Sequence, residues 1–376
     1  MIRNILYMRS GPYKPDINMY NMQEIGFAKA FLSRGISTDI MYFSDESREE
    51  VLLESNDARI KILWEKGYKI MRTGFYPRMV NKDRLKQYDL VILTEFSQIM
   101  TVIVGNLHNN CVLYTGPYYN LFKLPFIEPI YDFLFTKSID NRMKKIYTKS
   151  EMATDYMQKK GYHNLYTLGV GLDTDRFDKE KEMLPVTAEL VETMRANRCL
   201  LYVGSLTDRK NFPFTLKVFE DLKTKHNSDY KLVVIGKGKK KYVSKCFDAV
   251  PKKIVDDIIY VESVSNAQLK YIYPLADFFL LPSKKEIFGM VLLEAMYFEC
   301  IPVTSLNGGS STLINNNVNG LVIKDFDSTL WADLIISARN SDKINKMKKN
   351  AKARIEDSFL WDKVMVRFFE QLNRKN

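Results

Sequence analysis

Short apolar runs alternate with amphipathic stretches along the whole chain, which is typical of βα units built around parallel sheets. Residues 18–34 carry apolar side chains at helical spacing from Met22 to Leu32, and the pattern ends at Gly35, a common helix stop. The strands predicted in this first half are Asn4–Met8, 39–43, Leu90–Thr94, 112–114 and 145–148.

A second series of the same kind follows the charged, apolar-poor piece DKEKEMLPVT at 178–187. Its predicted strands are Cys199–Val203, Lys231–Ile235, Ile258–Val261, 277–281, 301–304 and Leu321–Ile323. We therefore predict an α/β chain with two doubly wound parallel-sheet domains, 1–180 and 181–376, which face each other across a cleft. The C-terminal helix is a candidate for crossing back to the first domain. Such sheets bind ligands at the carboxyl ends of their strands.

The composition is that of a globular protein, with 46% hydrophobic and 27% charged residues over a length of 376 that suits two domains. The four cysteines are scattered and form no CxxC pair, which is typical of small buried hydrophobic residues. A reducing compartment is the simplest inference from this pattern. The apolar start is broken by Arg9, and no run approaches the ~18 apolar residues of a spanning helix. We expect a cytoplasmic protein.

The net charge of +11 lies mostly in the second half, which holds 31 basic against 23 acidic residues. A basic excess indicates nucleic acid, an anionic membrane or a phosphorylated ligand, although a solvated basic face explains any single run such as KGKKK at 237–241 equally well. The aromatics form no base-stacking stripe, so nucleic acid is not expected. Core packing is the first interpretation of the aromatic cluster at 116–135, and the second is a surface for a lipid-linked acceptor or a membrane.

The stretch KKEIFGMVLLEAM at 284–296 places Glu286 and Glu294 on either side of seven uncharged residues. Pro282 stops a predicted strand, so Glu286 falls in the loop at the carboxyl end of that strand. Gly289 lets the backbone approach a ligand, and a helix that starts there directs free N–H groups toward an anion. Glu294, within that helix and among apolar residues, needs hydrogen bonds from ligand hydroxyls or a buried basic partner.

The stretch PSKKEIFGMVLLEAM, with YFECIPVTSLNGGSSTLINNNVNGLVI after it, resembles the E-x7-E region of the retaining glycosyltransferases of family 4, which have the two-domain GT-B fold. LYVGSLTDRKN at 201–211, LVVIGKGK at 232–239 and TLGVGLDTDRF at 167–177 extend the resemblance, and ILYMRSG extends it more loosely into the first half. The resemblance implies a nucleotide-diphosphate sugar, of UDP or GDP type, held mainly by the second domain, and an acceptor supplied by the first.

The same resemblance implies roles at matching positions: Glu286 binds the donor sugar, Glu294 binds the ribose hydroxyls, and Lys210 contacts the diphosphate. A fixed cation beside the leaving phosphate stabilises the transition state more than the ground state, which makes Lys210 a candidate catalytic residue. The resemblance implies that Glu286 is the second candidate catalytic residue. The base is expected near 261–264. The other implied donor-binding residues are Gly11, Ser205, Arg209, Val264, Phe288, Gly289, Met290 and Val291.

The chain departs from the family pattern at three positions. Ser205 stands where the family usually has an arginine, so one phosphate cation is missing unless Arg209 supplies it. The family's GGxxE reads GGSST here, with Thr312 in place of the acid. In the first domain, YTGPYYN puts Gly116 or a neighbour where the family often carries a histidine.

No metal site and no cofactor are predicted, because the three histidines do not lie at metal-ligand spacing. The tripeptide Asp173-Thr174-Asp175 looks like a DxD metal motif, but it aligns with an interdomain segment of the family. The GKGKKK run lacks the third glycine of a dinucleotide fingerprint. The prediction is a retaining, metal-independent hexosyltransferase acting on a glycan or lipid-linked acceptor in cell-surface polysaccharide synthesis. Docking to the inner membrane face is a further hypothesis from the basic charge. The rivals are a non-catalytic GT-B subunit and a nucleotide-sugar epimerase.

Overall fold

The computed structural model describes residues 2–17, 22–55, 57–122 and 124–374. It divides the chain into two compact units, Met1–Gly171 with Trp361–Asn376, and Leu172–Leu360. The division falls before the predicted boundary at 180/181 because the intervening residues pack with the second unit. The Phe177 ring contacts the Phe298 ring at 4.8 Å between centroids, and Lys270 donates a hydrogen bond to the Phe177 carbonyl.

The first unit is built on an eight-stranded sheet with helices on both faces. Its elements are β1 (Asn4–Met8), α1 (Gln23–Leu32), β2 (Ser37–Ser44), β3 (Arg48–Ser55), β4 (Ala58–Lys66), β5 (Tyr68–Ile70), β6 (Thr73–Phe75), α2 (Lys82–Leu85), β7 (Leu90–Thr94), α3 (Ile99–Leu107), β8 (Cys111–Thr115), α4 (Ile127–Arg142), β9 (Met143–Thr148), α5 (Glu151–Lys159) and β10 (Leu165–Thr167). The strand order is β10-β9-β8-β7-β1-β2-β4-β3, and β5 and β6 form a separate hairpin.

The pairing in the first sheet is parallel except at its β3 edge, where β3 runs antiparallel to β4. Only two residues separate these strands, and so short a connection can join only antiparallel neighbours. The central strands β7 and β8 are buried at every position, as strands covered on both faces are. The predicted helix 18–34 is observed from Gln23 to Leu32 and ends before Gly35, whose φ is +71°; residues 18–21 lie outside the described ranges.

The second unit carries a six-stranded sheet in which every pair is parallel. Its elements are α6 (Pro185–Arg195), β11 (Cys199–Val203), α7 (Phe212–Lys225), β12 (Lys231–Ile235), α8 (Lys240–Asp248), α9 (Lys252–Val255), β13 (Ile258–Val261), α10 (Leu269–Ile272), β14 (Phe278–Leu281), α11 (Met290–Tyr297), β15 (Ile301–Ser305), α12 (Ser310–Leu313), β16 (Leu321–Ile323), α13 (Ser328–Arg339) and α14 (Ile344–Ser358). The strand order is β13-β12-β11-β14-β15-β16, which confirms the predicted doubly wound α/β class.

The last helix, α15 (Trp361–Asn373), belongs to the first unit. The Trp361 ring stacks on Phe27 at 5.0 Å, and a Cβ on Gly26 would come within 2.2 Å of the Trp361 indole nitrogen. The Tyr147 hydroxyl donates a hydrogen bond to the Phe368 carbonyl at 2.7 Å. Packing against α1 and β9 therefore attaches α15 to the first unit.

The four cysteines, Cys111, Cys199, Cys246 and Cys300, are all buried and none forms a disulfide. Within the described ranges, no helix combines the length and the apolar composition that crossing a membrane requires.

Candidate active site

The second sheet reverses its direction of strand addition between β11 and β14. From β11 the chain adds β12 and β13 on one side, then returns to place β14, β15 and β16 on the other. Ligands of open α/β sheets bind outside the carboxyl ends of the strands at such a reversal. The loops that follow β11 and β14, 204–211 and 282–289, begin at this point, and they contain the candidate catalytic residues.

Lys210 and Glu286 meet across these two loops. The Lys210 ammonium donates a hydrogen bond to Glu286 Oε2, and the two side chains are only 11% and 12% exposed. The Arg209 guanidinium lies 3.6 Å from the same carboxylate oxygen and donates to the Lys285 carbonyl at 2.9 Å, while 52% of its side chain stays exposed. Two cations and one carboxylate therefore share one corner of the sheet, an arrangement that can bind an anion.

Gly289 sits at the start of α11 in the left-handed region, with φ of +79°. A Cβ at this position would lie 3.1 Å from Cγ of Glu286, so the glycine lets the helix begin directly beside that side chain. The first amides of α11, at Met290 and Val291, have no carbonyl one turn earlier within the helix to accept them. The helix therefore begins beside the pair of Lys210 and Glu286 with amide groups suited to an anion.

The double glycine Gly308-Gly309 supports the loop that carries Glu286. A Cβ on Gly308 would come within 2.0 Å of the Ile287 carbonyl oxygen, and one on Gly309 within 1.6 Å of the Phe288 carbonyl oxygen. The Gly308 amide also donates to the Glu286 carbonyl at 3.0 Å. Sequence reasoning assigned these glycines no positioning role, although two adjacent glycines after a buried strand signal a close backbone approach.

Thr312, which stands where the family pattern has an acid, faces the same loop. Its hydroxyl donates to the Gly308 carbonyl at 3.2 Å, and its own carbonyl accepts from Arg354 at 3.0 Å. In this chain the position therefore stabilises the glycine turn.

Glu294, the fifth residue of α11, is 2% exposed. Tyr273 donates its hydroxyl to Oε2 at 3.0 Å and Asn266 donates its amide to Oε1 at 3.3 Å. Burial raises the pKa of Glu294 to about 7, against the lowering effect of these two hydrogen bonds and of Arg176. The neutral side chains of Tyr273 and Asn266, which flank α10, thus supply two hydrogen bonds to this carboxylate. The sequence had suggested ligand hydroxyls or a basic side chain as its partners.

The remaining predicted donor-binding residues lie on several elements around the pair of Lys210 and Glu286 or, in one case, in the first unit. Ser205 is exposed in the loop after β11, where its carbonyl accepts from Tyr202 at 3.0 Å. Val264 is half-buried after β13, two residues before Asn266. Phe288 is buried beside Gly289 and contacts Phe359, whereas Gly11 belongs to the first unit. The structure thus gathers Arg209, Lys210, Glu286 and the start of α11, while the ligand roles stay predictions.

Glycines also bring the neighbouring strand ends close together. A Cβ on Gly236, at the end of β12, would lie 1.8 Å from the Gly204 carbonyl oxygen, and one on Gly238 would lie 2.6 Å from that of Leu206. The GKG run thus packs against the loop that carries Lys210. Within the described ranges, no group of three His, Cys, Asp or Glu side chains could hold a metal ion.

Comparison with known proteins adds a family match in the second unit. Residues 194–354 match the family model described as glycosyl transferases group 1. The lipopolysaccharide 1,2-N-acetylglucosaminetransferase of Salmonella typhimurium is 31% identical over 185 residues, covering 46% of this chain and 47% of that protein. The chain spans about half the length of the curated relatives it matches.

A second relative comes from Campylobacter jejuni, and its name is GalNAc-alpha-(1->4)-GalNAc-alpha-(1->3)-diNAcBac-PP-undecaprenol alpha-1,4-N-acetyl-D-galactosaminyltransferase. It is 28% identical over 160 residues, covering 42% of this chain and 43% of that protein. Among solved structures, HepE of Anabaena in complex with UDP superposes with a TM-score of 0.73 at 14% identity, over 99% of both chains. The second unit is therefore similar to glycosyl transferases group 1, and the chain has the GT-B fold.

Proposed function

We propose that this protein is a retaining, metal-independent glycosyltransferase of family 4 that transfers a hexosyl group from a UDP- or GDP-sugar to a glycan or lipid-linked acceptor. The observation that carries the proposal is the meeting of Lys210 with Glu286 beside the start of α11, at the reversal of the second sheet. A diphosphate at this corner meets a nearly buried ammonium, the Arg209 guanidinium and the amides of a helix N-terminus.

In the proposed reaction, the glycosidic C–O bond of the donor breaks and its electron pair goes to the leaving phosphate. The Lys210 ammonium, released from Glu286 when the donor binds, neutralises that developing charge. Glu286 then accepts hydrogen bonds from the donor sugar and fixes its orientation. The acceptor hydroxyl attacks the anomeric carbon from the face that the phosphate leaves, and the departing phosphate accepts the hydroxyl proton, so configuration is retained.

The acceptor, pathway and location are further parts of the proposal. The relatives from Salmonella typhimurium and Campylobacter jejuni are named for lipopolysaccharide and for an undecaprenol-linked sugar, which supports a role in cell-surface glycan synthesis. We infer a cytoplasmic enzyme that docks to the inner membrane face through its basic charge, since each basic residue near an anionic surface contributes about 1 kcal/mol. No additional cofactor is needed, because the fixed cations hold the diphosphate.

The test compares Lys210→Ala with Lys217→Ala. Lys217 is a matched control because it lies on α7, pairs with Glu220 and has a side chain 54% exposed. Donor cleavage is measured with UDP- and GDP-sugars, with and without EDTA, and nucleoside diphosphate binding is measured by thermal shift. We expect Lys210→Ala to lower kcat by ~10²–10³, as loss of one transition-state donor does, whereas Lys217→Ala and EDTA leave the rate unchanged.

Two results would contradict the proposal. A Lys210→Ala enzyme with full activity would remove the ammonium from the mechanism. A wild-type protein that neither cleaves any nucleotide sugar nor gains thermal stability with any nucleoside diphosphate would instead be a non-catalytic GT-B subunit.

A further inference from the structure

Residues 177–184, near the start of the second unit, are bound to the chain that follows β13. The Lys270 ammonium, on α10, donates hydrogen bonds to the carbonyls of Phe177 at 2.6 Å and Glu180 at 2.8 Å. These bonds hold the backbone of the segment against α10. The side chain of Glu180 is thereby placed beside the loop that connects β13 with α10.

The Glu180 carboxylate joins this segment to the turn 265–268 in that loop. One of its oxygens, Oε2, accepts hydrogen bonds from the Ser265 hydroxyl at 2.6 Å and from the Gln268 side-chain amide at 2.9 Å. The Gln268 backbone amide also donates to the Ser265 carbonyl at 3.0 Å, which closes the turn. A hydrogen bond to an ionised acceptor is roughly twice as strong as one between neutral groups. A single carboxylate oxygen therefore fixes both ends of the turn.

Gln268 is 0% exposed, and the same segment satisfies both ends of its side-chain amide. Its Nε2 donates to the Glu182 carbonyl at 2.8 Å as well as to Glu180, and its Oε1 accepts from the Leu184 amide at 2.9 Å. Buried polar groups need such partners, so the position of the turn depends on this segment. Gln268 keeps its bonds to Glu182 and Leu184 when Glu180 is replaced, so Glu180 variants should fold.

The turn carries Asn266, which is a hydrogen-bond partner of Glu294 on α11. Asn266 lies between the two residues that Glu180 holds, and its amide donates to Oε1 of Glu294 at 3.3 Å. The helix α11 begins at the corner proposed to bind the diphosphate, and Glu294 lies four residues after Met290, about 6 Å along the helix axis. A nucleoside that extends from that diphosphate along α11 therefore meets Glu294 and the turn that orients it.

We propose that Glu180 is a positioning residue for the nucleoside half of the donor, because it holds the turn 265–268 so that Asn266 orients the Glu294 carboxylate before the nucleotide binds. The inference rests on the proposed function and adds a residue to the same site. Without the Glu180 carboxylate the turn has more conformations, and a nucleotide that binds must restrict them, which lowers its affinity. The groups around Lys210 are unchanged, so the loss falls on binding and spares the chemical step.

The experiment measures binding of UDP, GDP and pyrophosphate to the full-length protein by calorimetry, together with KM and kcat for transfer from the corresponding nucleotide sugar. Glu180→Ala should weaken binding of the preferred nucleoside diphosphate about tenfold and raise KM by the same factor, which is the size of one charged hydrogen bond. The affinity for pyrophosphate, which has no nucleoside, and kcat at saturating donor should stay within about twofold of the wild type.

Three variants control for the contact itself. Glu182→Ala is the matched control and should bind nucleotide like the wild type, because Glu182 is exposed and contributes a backbone carbonyl that alanine keeps. Glu180→Gln should keep nucleotide affinity within about threefold of the wild type, since its side-chain oxygen still accepts from Ser265 and Gln268. Ser265→Ala, at an exposed position, removes one of the two bonds and tests the inference if Glu180→Ala fails to fold. Its effect should be absent in a protein that already carries Glu180→Ala.

The outcomes separate this inference from the proposed function. Equal losses of nucleotide and pyrophosphate affinity in Glu180→Ala, or an equal loss of nucleotide affinity in Glu182→Ala, would overturn the inference. If the wild type transfers sugar and Glu180→Ala leaves KM unchanged, the inference is wrong and the proposed function stands. If Glu180→Ala weakens nucleoside diphosphate binding as expected but the wild type cleaves no nucleotide sugar, Glu180 positions a bound nucleotide and the proposed function is wrong.

Discussion

The raised pKa of buried Glu294 predicts that the stability of the protein falls as the pH rises, and Glu294→Gln should remove this contribution. The carboxyl is 2% exposed and its pKa is raised from 4.5 to about 7, chiefly by desolvation. Glutamine fits the site because Tyr273 can donate to its oxygen. The Asn266 amide, which donates to Oε1 of Glu294, can turn over and present its Oδ1, which has no partner within the described ranges, to the glutamine NH₂ group. The variant should therefore fold.

The sign and size of the effect follow from proton linkage. Between pH 4.5 and about 7 the folded protein keeps a proton on Glu294 that the unfolded chain has lost, so the stability present at low pH falls as the pH rises. Since one pH unit over this interval is worth about 1.4 kcal/mol, the total loss approaches about 3 kcal/mol. Between pH 5 and 8 the wild-type protein should lose roughly 2.5 kcal/mol more than Glu294→Gln.

Urea unfolding followed by circular dichroism at pH 5, 6, 7 and 8 measures this difference in the free energy of unfolding. Glu192→Gln, an exposed position on α6, is the matched control and should follow the wild type at every pH. The same Glu294 carboxylate is proposed to bind ribose hydroxyls, so UDP affinity should rise with pH through about 7 more steeply in the wild type than in the variant. A wild-type and a Glu294→Gln protein whose stabilities differ by the same amount at all four pH values would refute the reasoning.

Three further substitutions test the geometry of the site. Gly309→Ala places a Cβ within 1.6 Å of the Phe288 carbonyl oxygen, so the backbone that positions Glu286 must shift. We expect the rate of sugar transfer to fall more than tenfold while circular dichroism shows a folded protein. An unchanged transfer rate would contradict the positioning role of Gly309. Arg209→Ala should weaken UDP binding about tenfold if Arg209 replaces the arginine missing at Ser205, because a charged hydrogen bond is lost. Ser205→Arg in that background should restore the affinity measured by calorimetry, and a loss that Ser205→Arg fails to repair would assign Arg209 a different role.

Strands covered on both faces are readable in the sequence, because burial on both sides makes them continuous apolar runs. The predicted strands Asn4–Met8, Leu90–Thr94 and Cys199–Val203 coincide with those observed. The edge strand β3, REEVLLES, was missed because its exposed side carries charged residues and its pattern has no continuous apolar run. Its partner β4, ARIKILWEK, was missed as well, since basic residues interrupt it.

The sequence by itself determined the local framework of the candidate site: Glu286 after a buried strand, a helix starting at Gly289, and Lys210 in the loop after another strand. The contact between Lys210 and Glu286 spans 76 positions and exists because β11 and β14 are neighbours in the sheet, which no local pattern specifies. Tertiary packing likewise brings Tyr273 and Asn266 into hydrogen-bonding contact with Glu294 and places Gly309 against Phe288. Side-chain type and spacing fix what each segment can form, whereas the chain's return across the sheet decides which segments meet.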